Sequence, residues 1–230
     1  MKIKGFIETS FVDWDGKISS VIFLPGCNFR CVFCHNHALL FEHKKLPDIP
    51  WKEVKKKLLR HKGWVDGVCI TGGEPLINRD LQGLVEAIKD LGFLVKLDTN
   101  GSFPDSLKIF INKKLIDYIA MDLKAPLDER YNLITQTDVD LSKIHESINL
   151  LLTGSVDYEF RMTLVPGYIE KEGLTSIAEE IKGAKKFILQ NFNPKEALNS
   201  SLRTVKPYTD TEMNGFKKAI EKYVQFSKVR

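Results

Sequence analysis

The sequence predicts an α/β fold, a partial (β/α)6 barrel with a lateral opening, spanning residues 1–230 as a single domain. Three observations predict it. Short apolar runs alternate with segments of helical periodicity, which argues for a parallel sheet flanked by helices. About six such units are present, short of the eight of a closed barrel, and right-handed crossovers would curl them into an arc. At 230 residues the chain suits one barrel-type domain with a sizeable core.

The elements follow in order. Residues 21–24, apolar and partly β-branched, read as a buried strand leading into a cysteine-bearing loop. Pro50 suits the first turn of a helix, on which Trp51, Val54, Leu58 and Leu59 share a face. Residues 67–71 read as a second strand, closed by Gly72-Gly73. Leu81, Leu84, Val85 and Ile88 give a second helix, ended near Gly92. Residues 94–97 form a third strand, closed by Asp98-Thr99-Asn100-Gly101, and 106–112 a short helix. Residues 118–121 are a fourth strand, followed by Asp122-Leu123-Lys124. Ile144, Ile148, Leu151 and Leu152 mark a helix stopped at Gly154. Residues 158–165 are a fifth strand ended at Pro166-Gly167, 174–181 a helix with Gly183 beyond it, and 187–189 a sixth strand. Thr209 with Glu212 looks like a capping box for the last helix.

Composition narrows the function. Hydrophobic content of 43% and charged content of 28% are ordinary for a globular protein. The net charge of +4 is small and demands no nucleic acid partner. No stretch approaches the ~20 apolar residues of a membrane span, and the start lacks the apolar run of a signal peptide. A cytoplasmic protein, away from the membrane, is the expectation. Four cysteines, three of them clustered, argue for metal binding in a reducing compartment rather than for disulfides.

Cys27, Cys31 and Cys34 stand in C-x3-C-x2-C spacing. Three thiolates on one short loop suit a 4Fe-4S cluster. One fewer than the usual four leaves an iron open to a small molecule, so the cluster is a candidate reaction centre. A zinc site stands beside this reading, with His35 or His37 completing a Cys3His set. Structural zinc usually draws on two separated knuckles, and the remaining Cys69 is distant, which favours iron–sulfur. Cys69 itself reads as a small core residue.

Parallel α/β folds bind ligands at the carboxyl ends of their strands. There this sequence places the cysteine loop, Gly72-Gly73-Glu74-Pro75, Asp98-Thr99-Asn100, Asp122 with Lys124, and Asn191 with Asn193. Singly, these are turn formers, caps and a surface lysine; together they suggest a site. Arg161 lies inside an apolar strand, where an isolated charge is costly, so it pairs with an acid or reaches the site. Lys52, Lys55, Lys56 and Lys57 read as a solvated helix face, with docking to an acidic partner as the alternative. His43, His61 and His145 read as surface residues.

The cysteine run with Phe33 before its last cysteine, the Gly72-Gly73-Glu74-Pro75 turn and the six-unit pattern together resemble the radical S-adenosylmethionine superfamily over nearly the whole chain. Cys34-His35-Asn36, residues 97–101, Met121-Asp122-Leu123-Lys124, and Val165-Pro166-Gly167 after Arg161 resemble the activases of glycyl-radical enzymes. Residues 9–18 and 190–194 are similar to compact activases of anaerobic ribonucleoside-triphosphate reductase. The resemblance implies a barrel of the radical S-adenosylmethionine type. It implies that Cys27, Cys31 and Cys34 hold three irons of a 4Fe-4S cluster, whose fourth iron takes the amino and carboxylate groups of S-adenosylmethionine. Gly72, Gly73 and Glu74 would meet the amino end. The backbone at Phe33 and His35 would contact the adenine, and Asp122 and Lys124 would line the cofactor and an incoming peptide. Asp98 and Thr99 could bind a monovalent cation; Arg161 and Asn193 complete the candidate set.

The implied partners are a glycyl-radical enzyme and a flavodoxin or ferredoxin as electron donor. The pyruvate formate-lyase activase has a histidine where Asn193 falls, and no second cysteine cluster is present, so electrons would come from outside. Three alternatives remain: a pyruvate formate-lyase-type activase, a small-molecule enzyme such as 7-carboxy-7-deazaguanine synthase, and a zinc-stabilised module without catalysis. Cys34-His35-Asn36 speaks against the second.

Overall fold

A computed structural model describes residues 2–42 and 44–230; His43 lies outside the described residues. The chain forms two compact units. The first comprises Met1–Asn28, Asn36–Thr99 and Asp105–Ile119, the second Phe29–His35, Asn100–Pro104 and Ala120–Arg230.

In the first unit, β1 (Gly5–Ser10), β2 (Ser19–Leu24), β3 (Gly67–Gly72) and β4 (Leu94–Thr99) lie side by side in chain order. β1 is antiparallel to β2, while β2, β3 and β4 are parallel. Val21, Ile22, Val68, Cys69, Ile70, Val95 and Leu97 are fully buried, the near-continuous apolar content of strands covered on both faces. The helices are α1 (His37–Phe41), α2 (Trp51–Arg60), α3 (Leu81–Asp90) and α4 (Pro104–Asn112). α2 buries Val54 and Leu58, and α3 buries Leu81, Leu84, Val85 and Ile88, the stripe that helical periodicity predicts. Leu24 pairs with Gly72, and Ile70 with Leu97, so the three parallel strands close along one edge.

β5 (Tyr118–Asp122) begins in the first unit and ends in the second. The second unit continues with β6 (Asp157–Leu164), β7 (Phe187–Asn191) and β8 (Ser227–Val229), parallel and in chain order. Its helices are α5 (Glu129–Thr135), α6 (Leu141–Thr153), α7 (Lys171–Glu180) and α8 (Asp210–Ile220). The expected capping box starts α8: the Thr209 amide donates to Glu212 Oε2 at 2.8 Å and the Glu212 amide to Thr209 Oγ1 at 3.3 Å.

The differences from expectation have physical reasons. Pro50 is the cap of α2 rather than part of its first turn, with an extended ψ of 137°. Asp98 and Thr99 belong to β4 rather than to a turn. β1 carries Glu8 and Thr9 along an edge strand, and β8 has three residues, too little apolar pattern to announce a strand. α5 is seven residues long and starts at Asp128, whose side chain accepts from the Arg130 amide. Among the described residues no helix is long and apolar enough to cross a membrane.

β8 is fastened by an ion pair. Arg230 donates Nη1 and Nη2 to the two carboxylate oxygens of Glu159, each at 3.1 Å, and Glu159 is buried on β6. Arg230→Met takes this bidentate partner from a buried carboxylate and is expected to cost up to about 3–5 kcal/mol, read as a lower urea midpoint. An unchanged midpoint would show that the pair is dispensable.

Candidate functional site

The closing edge of β2, β3 and β4 is built from backbone at close quarters. After β3, the Gly73 amide donates to Leu24 O at 3.0 Å and the Glu74 amide to Gly26 O at 2.8 Å. A Cβ on Gly73 would lie 1.8 Å from Gly26 O and 3.3 Å from Cys27 Cβ, so only glycine fits against the start of the cysteine loop. Gly72 has φ +120°, a conformation glycine adopts at little cost. Asn36, two residues after Cys34, donates its side-chain amide to Gly72 O at 3.0 Å. The sequence showed Asn36 only as part of a motif; its contact ties the segment after the cysteines to the Gly-Gly turn.

Glu74 is 1% exposed. Its Oε1 accepts from Thr99 Oγ1 at 2.9 Å and from the Leu76 amide at 3.1 Å, the latter capping a 3-10 turn at Pro75–Ile77. The carboxylate therefore braces the β3 turn against the end of β4. Gly72 and Gly73, half-buried, are the more accessible part of the turn.

Lys96 was missed by the sequence reading. It is 1% exposed, and its ammonium bonds Asp98 Oδ1 and lies 3.7 Å from Cys69 Sγ. The available signal was a lysine two residues before an aspartate in an otherwise apolar strand, since i and i+2 share a face. Cys69 is fully buried, as expected.

The second unit holds the rest of the cysteine loop. The Arg30 amide donates to Thr135 O at 2.8 Å, and the Val32 amide to Ile134 O at 2.9 Å, pinning the loop to the end of α5. Val32 O accepts from the Asn199 amide at 2.8 Å, and the Cys34 amide donates to Cys31 O at 2.9 Å. Phe29 meets Tyr131 edge-on, with ring centres 6.2 Å apart. Cys31 is buried and Cys34 half-buried.

Three charges converge beside this loop. Arg161 Nε lies 2.8 Å from Asp122 Oδ1, and Lys124 Nζ 3.1 Å from Asp122 Oδ2 and 5.8 Å from the Phe33 ring centre. Arg161 thus pairs with an acid, and the Leu123 amide, donating to Arg161 O at 2.8 Å, fixes the strands that carry the pair. Burial alone would raise the Asp122 carboxyl, but Arg161 and Lys124 outweigh it and hold it well below the usual carboxylate range. Burial alone would lower the Lys124 ammonium, yet Asp122 and then Cys31 hold it above its ordinary value. Lys124 is thus held as a cation beside Cys31.

His35 Nε2 lies 2.7 Å from Asn193 O. A carbonyl only accepts, so that nitrogen carries the proton and is no zinc ligand in this arrangement. Asn193 Oδ1 accepts from the Lys195 amide at 3.0 Å, closing its own turn. Asn193 therefore acts here through its backbone, orienting His35. Tyr131 is a second residue the sequence did not single out. It is fully buried, and Lys124 and Cys31 are among its polar neighbours. Burial pushes its phenol up.

The first unit thus assembles Gly72, Gly73, Glu74, Asp98 and Thr99, with the Gly26 backbone and the Cys27 Cβ against Gly73. The second assembles Cys31, Phe33, Cys34, Asp122, Lys124 and Arg161, and separately His35 with Asn193. Among the described residues no three His, Cys, Asp or Glu side chains already form a metal cage. The fit of an iron–sulfur cluster is therefore tested on donor chemistry. Three thiol donors within eight residues of sequence, with the Lys124 cation beside Cys31 in the second unit, suit a thiolate-held, anionic cluster.

Comparison with known proteins agrees. The family model described as Radical SAM superfamily matches residues 21–179. A protein of Methanocaldococcus jannaschii, provisionally named a glycyl-radical enzyme activating enzyme, is 32% identical over 96% of this chain and 92% of its own length. The pyruvate formate-lyase-activating enzyme of Clostridium pasteurianum is 28% identical over 80% of this chain and 77% of its own. A solved structure of TYW1 with a lysine-pyruvate adduct bound superimposes with a TM-score of 0.65 at 16% identity, covering 91% of this chain and 74% of that one. That last likeness is one of fold, and it agrees with the expected α/β class.

Proposed function

The chain belongs to the radical S-adenosylmethionine superfamily, and from that premise we propose that it is a glycyl-radical-enzyme activating enzyme. The observation that carries the reading is the nearly coextensive relationship to the Methanocaldococcus activating protein. The finer proposal is that the partner is anaerobic ribonucleoside-triphosphate reductase. The resemblance of residues 9–18 and 190–194 to compact activases of that enzyme supports it. A pyruvate formate-lyase partner is the second reading, favoured by the Clostridium relative. A cytoplasmic setting, with a flavodoxin or ferredoxin as donor and no nucleic acid or membrane involved, completes the proposal.

Cys27, Cys31 and Cys34 would hold the cluster. When bound and reduced by an external donor, the cluster would supply the electron for reductive cleavage of S-adenosylmethionine, the radical chemistry that hydrogen abstraction from a glycine Cα requires. This chain's residues do the holding and the shielding. The loop 29–35 is fixed by its bonds to Ile134, Thr135 and Asn199, so Cys31 and Cys34 are presented without a search. Lys124 and Arg161, balanced by Asp122, supply positive charge for an anionic centre and for the carboxylate of a bound cofactor. Gly72 and Gly73 offer backbone to an amino group, and Glu74 with Thr99 keeps that turn in shape. His35, held by Asn193 O, sets the exit of the loop.

The test is anaerobic reconstitution with iron and sulfide, reduction with dithionite and addition of S-adenosylmethionine. Release of 5′-deoxyadenosine establishes the chemistry. Offering the reductase and pyruvate formate-lyase in parallel, and looking for a glycyl radical by electron paramagnetic resonance, decides the partner. Deoxyadenosine without a glycyl radical on either protein would overturn the activase reading.

A further inference from the structure

We propose that the Lys96 ammonium is the built-in counter-cation of Asp98, so that this chain needs no free monovalent cation at the Asp98–Thr99 end of β4. The proposal departs from the monovalent site that the family resemblance suggests for these two residues.

Its ground is the first unit alone. Lys96 and Asp98 are two apart on β4 and point to one face. In the strand register Lys96 stands opposite Cys69, whose sulfur is 3.7 Å from the ammonium. Lys96 is 1% exposed and Asp98 8% exposed, so the two charges meet out of water, each stabilised by the other. A free cation arriving at this carboxylate would lose its own hydration and meet an ammonium already bonded there. The tethered ammonium holds a further advantage, since its position is fixed by folding rather than by a binding event. Thr99, the other expected ligand, is already oriented by donating to Glu74 at 2.9 Å. The Asp98 carboxylate, which would supply the negative charge for a cation, is therefore engaged within the protein.

The experiment does not depend on which partner the enzyme activates. The cluster-free protein is melted in sodium, potassium or choline chloride at about 0.1 M, where general screening is alike. The wild-type melting temperature is expected to be the same in all three salts. Lys96→Met removes the ammonium and keeps the stem, so that the place of the ammonium beside Asp98 is open to a cation from solution. Its melting temperature is expected to rise with sodium or potassium over choline, whereas Lys96→Arg stays insensitive. After reconstitution, Lys96→Met should bind S-adenosylmethionine about tenfold more weakly in choline than in the better alkali salt, with the wild type flat.

A wild type stabilised by sodium or potassium over choline would overturn the proposal. So would a folded Lys96→Met protein blind to cation identity. Should Lys96→Met fail to fold, Lys96→Gln replaces it, and the wild-type comparison decides in either case. Failure of the activase assay would leave the melting results untouched, so the two readings fail separately.

Discussion

Cys31→Ala is expected to yield a folded protein that takes up no cluster and releases no 5′-deoxyadenosine above background. The two halves of that expectation have different causes. The loop around Cys31 is held by backbone bonds from Arg30 to Thr135, from Val32 to Ile134 and from Asn199 to Val32. None of these needs the thiol, so the fold should lose only about 1 kcal/mol for a small truncated side chain. The chemistry, in contrast, needs the sulfur. With three donors in the loop, the loss of one leaves two thiolates for a cluster that already has one fewer protein ligand than the usual four. Lys124, held charged by Asp122 and Cys31, would then face a site without that sulfur. Iron content and absorption near ~400 nm, the sulfur-to-iron region, are the measurements. Cys69→Ala is the control: it removes a buried sulfur outside the loop, and its cluster should load normally. A Cys31→Ala protein that retains the cluster, or still cleaves S-adenosylmethionine, would remove the basis of the functional reading.

What the sequence revealed and what it hid follow from the same physics. β2, β3 and β4 were legible because apolar side chains run almost unbroken through them, and α3 because four apolar residues fall on one face. The cysteine loop was legible because spacing is a local property of the chain. Arg161 was readable only as a dilemma, since a buried guanidinium needs a partner that sequence order does not reveal. Asp122, 39 residues earlier, resolves it. Lys96 was passed over because a lysine by itself belongs to the surface; Asp98, two residues on, and Cys69, on the neighbouring strand, make it a core residue. The same pairing explains why Asp98 stays in β4 instead of starting the turn its residue type favours. Tyr131 gives no signal at all in one dimension, because its significance lies in a buried hydroxyl whose neighbours are Lys124 and Cys31.

Gly73→Ala is expected to be the most disruptive single-methyl change in the first unit. The backbone at Gly73 is not in the left-handed region, so the cost is steric rather than conformational. A Cβ would sit 1.8 Å from Gly26 O and 2.5 Å from Gly26 C, and neither atom can turn away as a flexible side chain would. Either the β3 turn or the Gly26-Cys27 backbone must move, and the bond from the Glu74 amide to Gly26 O goes with it. Glu74 is then displaced from Thr99, so the strain spreads to the end of β4. The expected loss is about 3 kcal/mol, the upper end for overpacking, or about 6–12 °C in melting temperature for a chain of this size. Cluster loading should fall with it, because Cys27 is the residue beside the displaced carbonyl. Gly83→Ala gives the opposite sign. Gly83 lies within α3, and a Cβ there meets nothing within 4 Å, so the protein should gain about 0.5–1 kcal/mol. If Gly73→Ala melted with the wild type and loaded a full cluster, close approach of these two backbones would not be what the Gly-Gly pair is for. If both variants behave as expected, the first glycine's place is set by the cysteine loop and the second's by nothing beyond its helix.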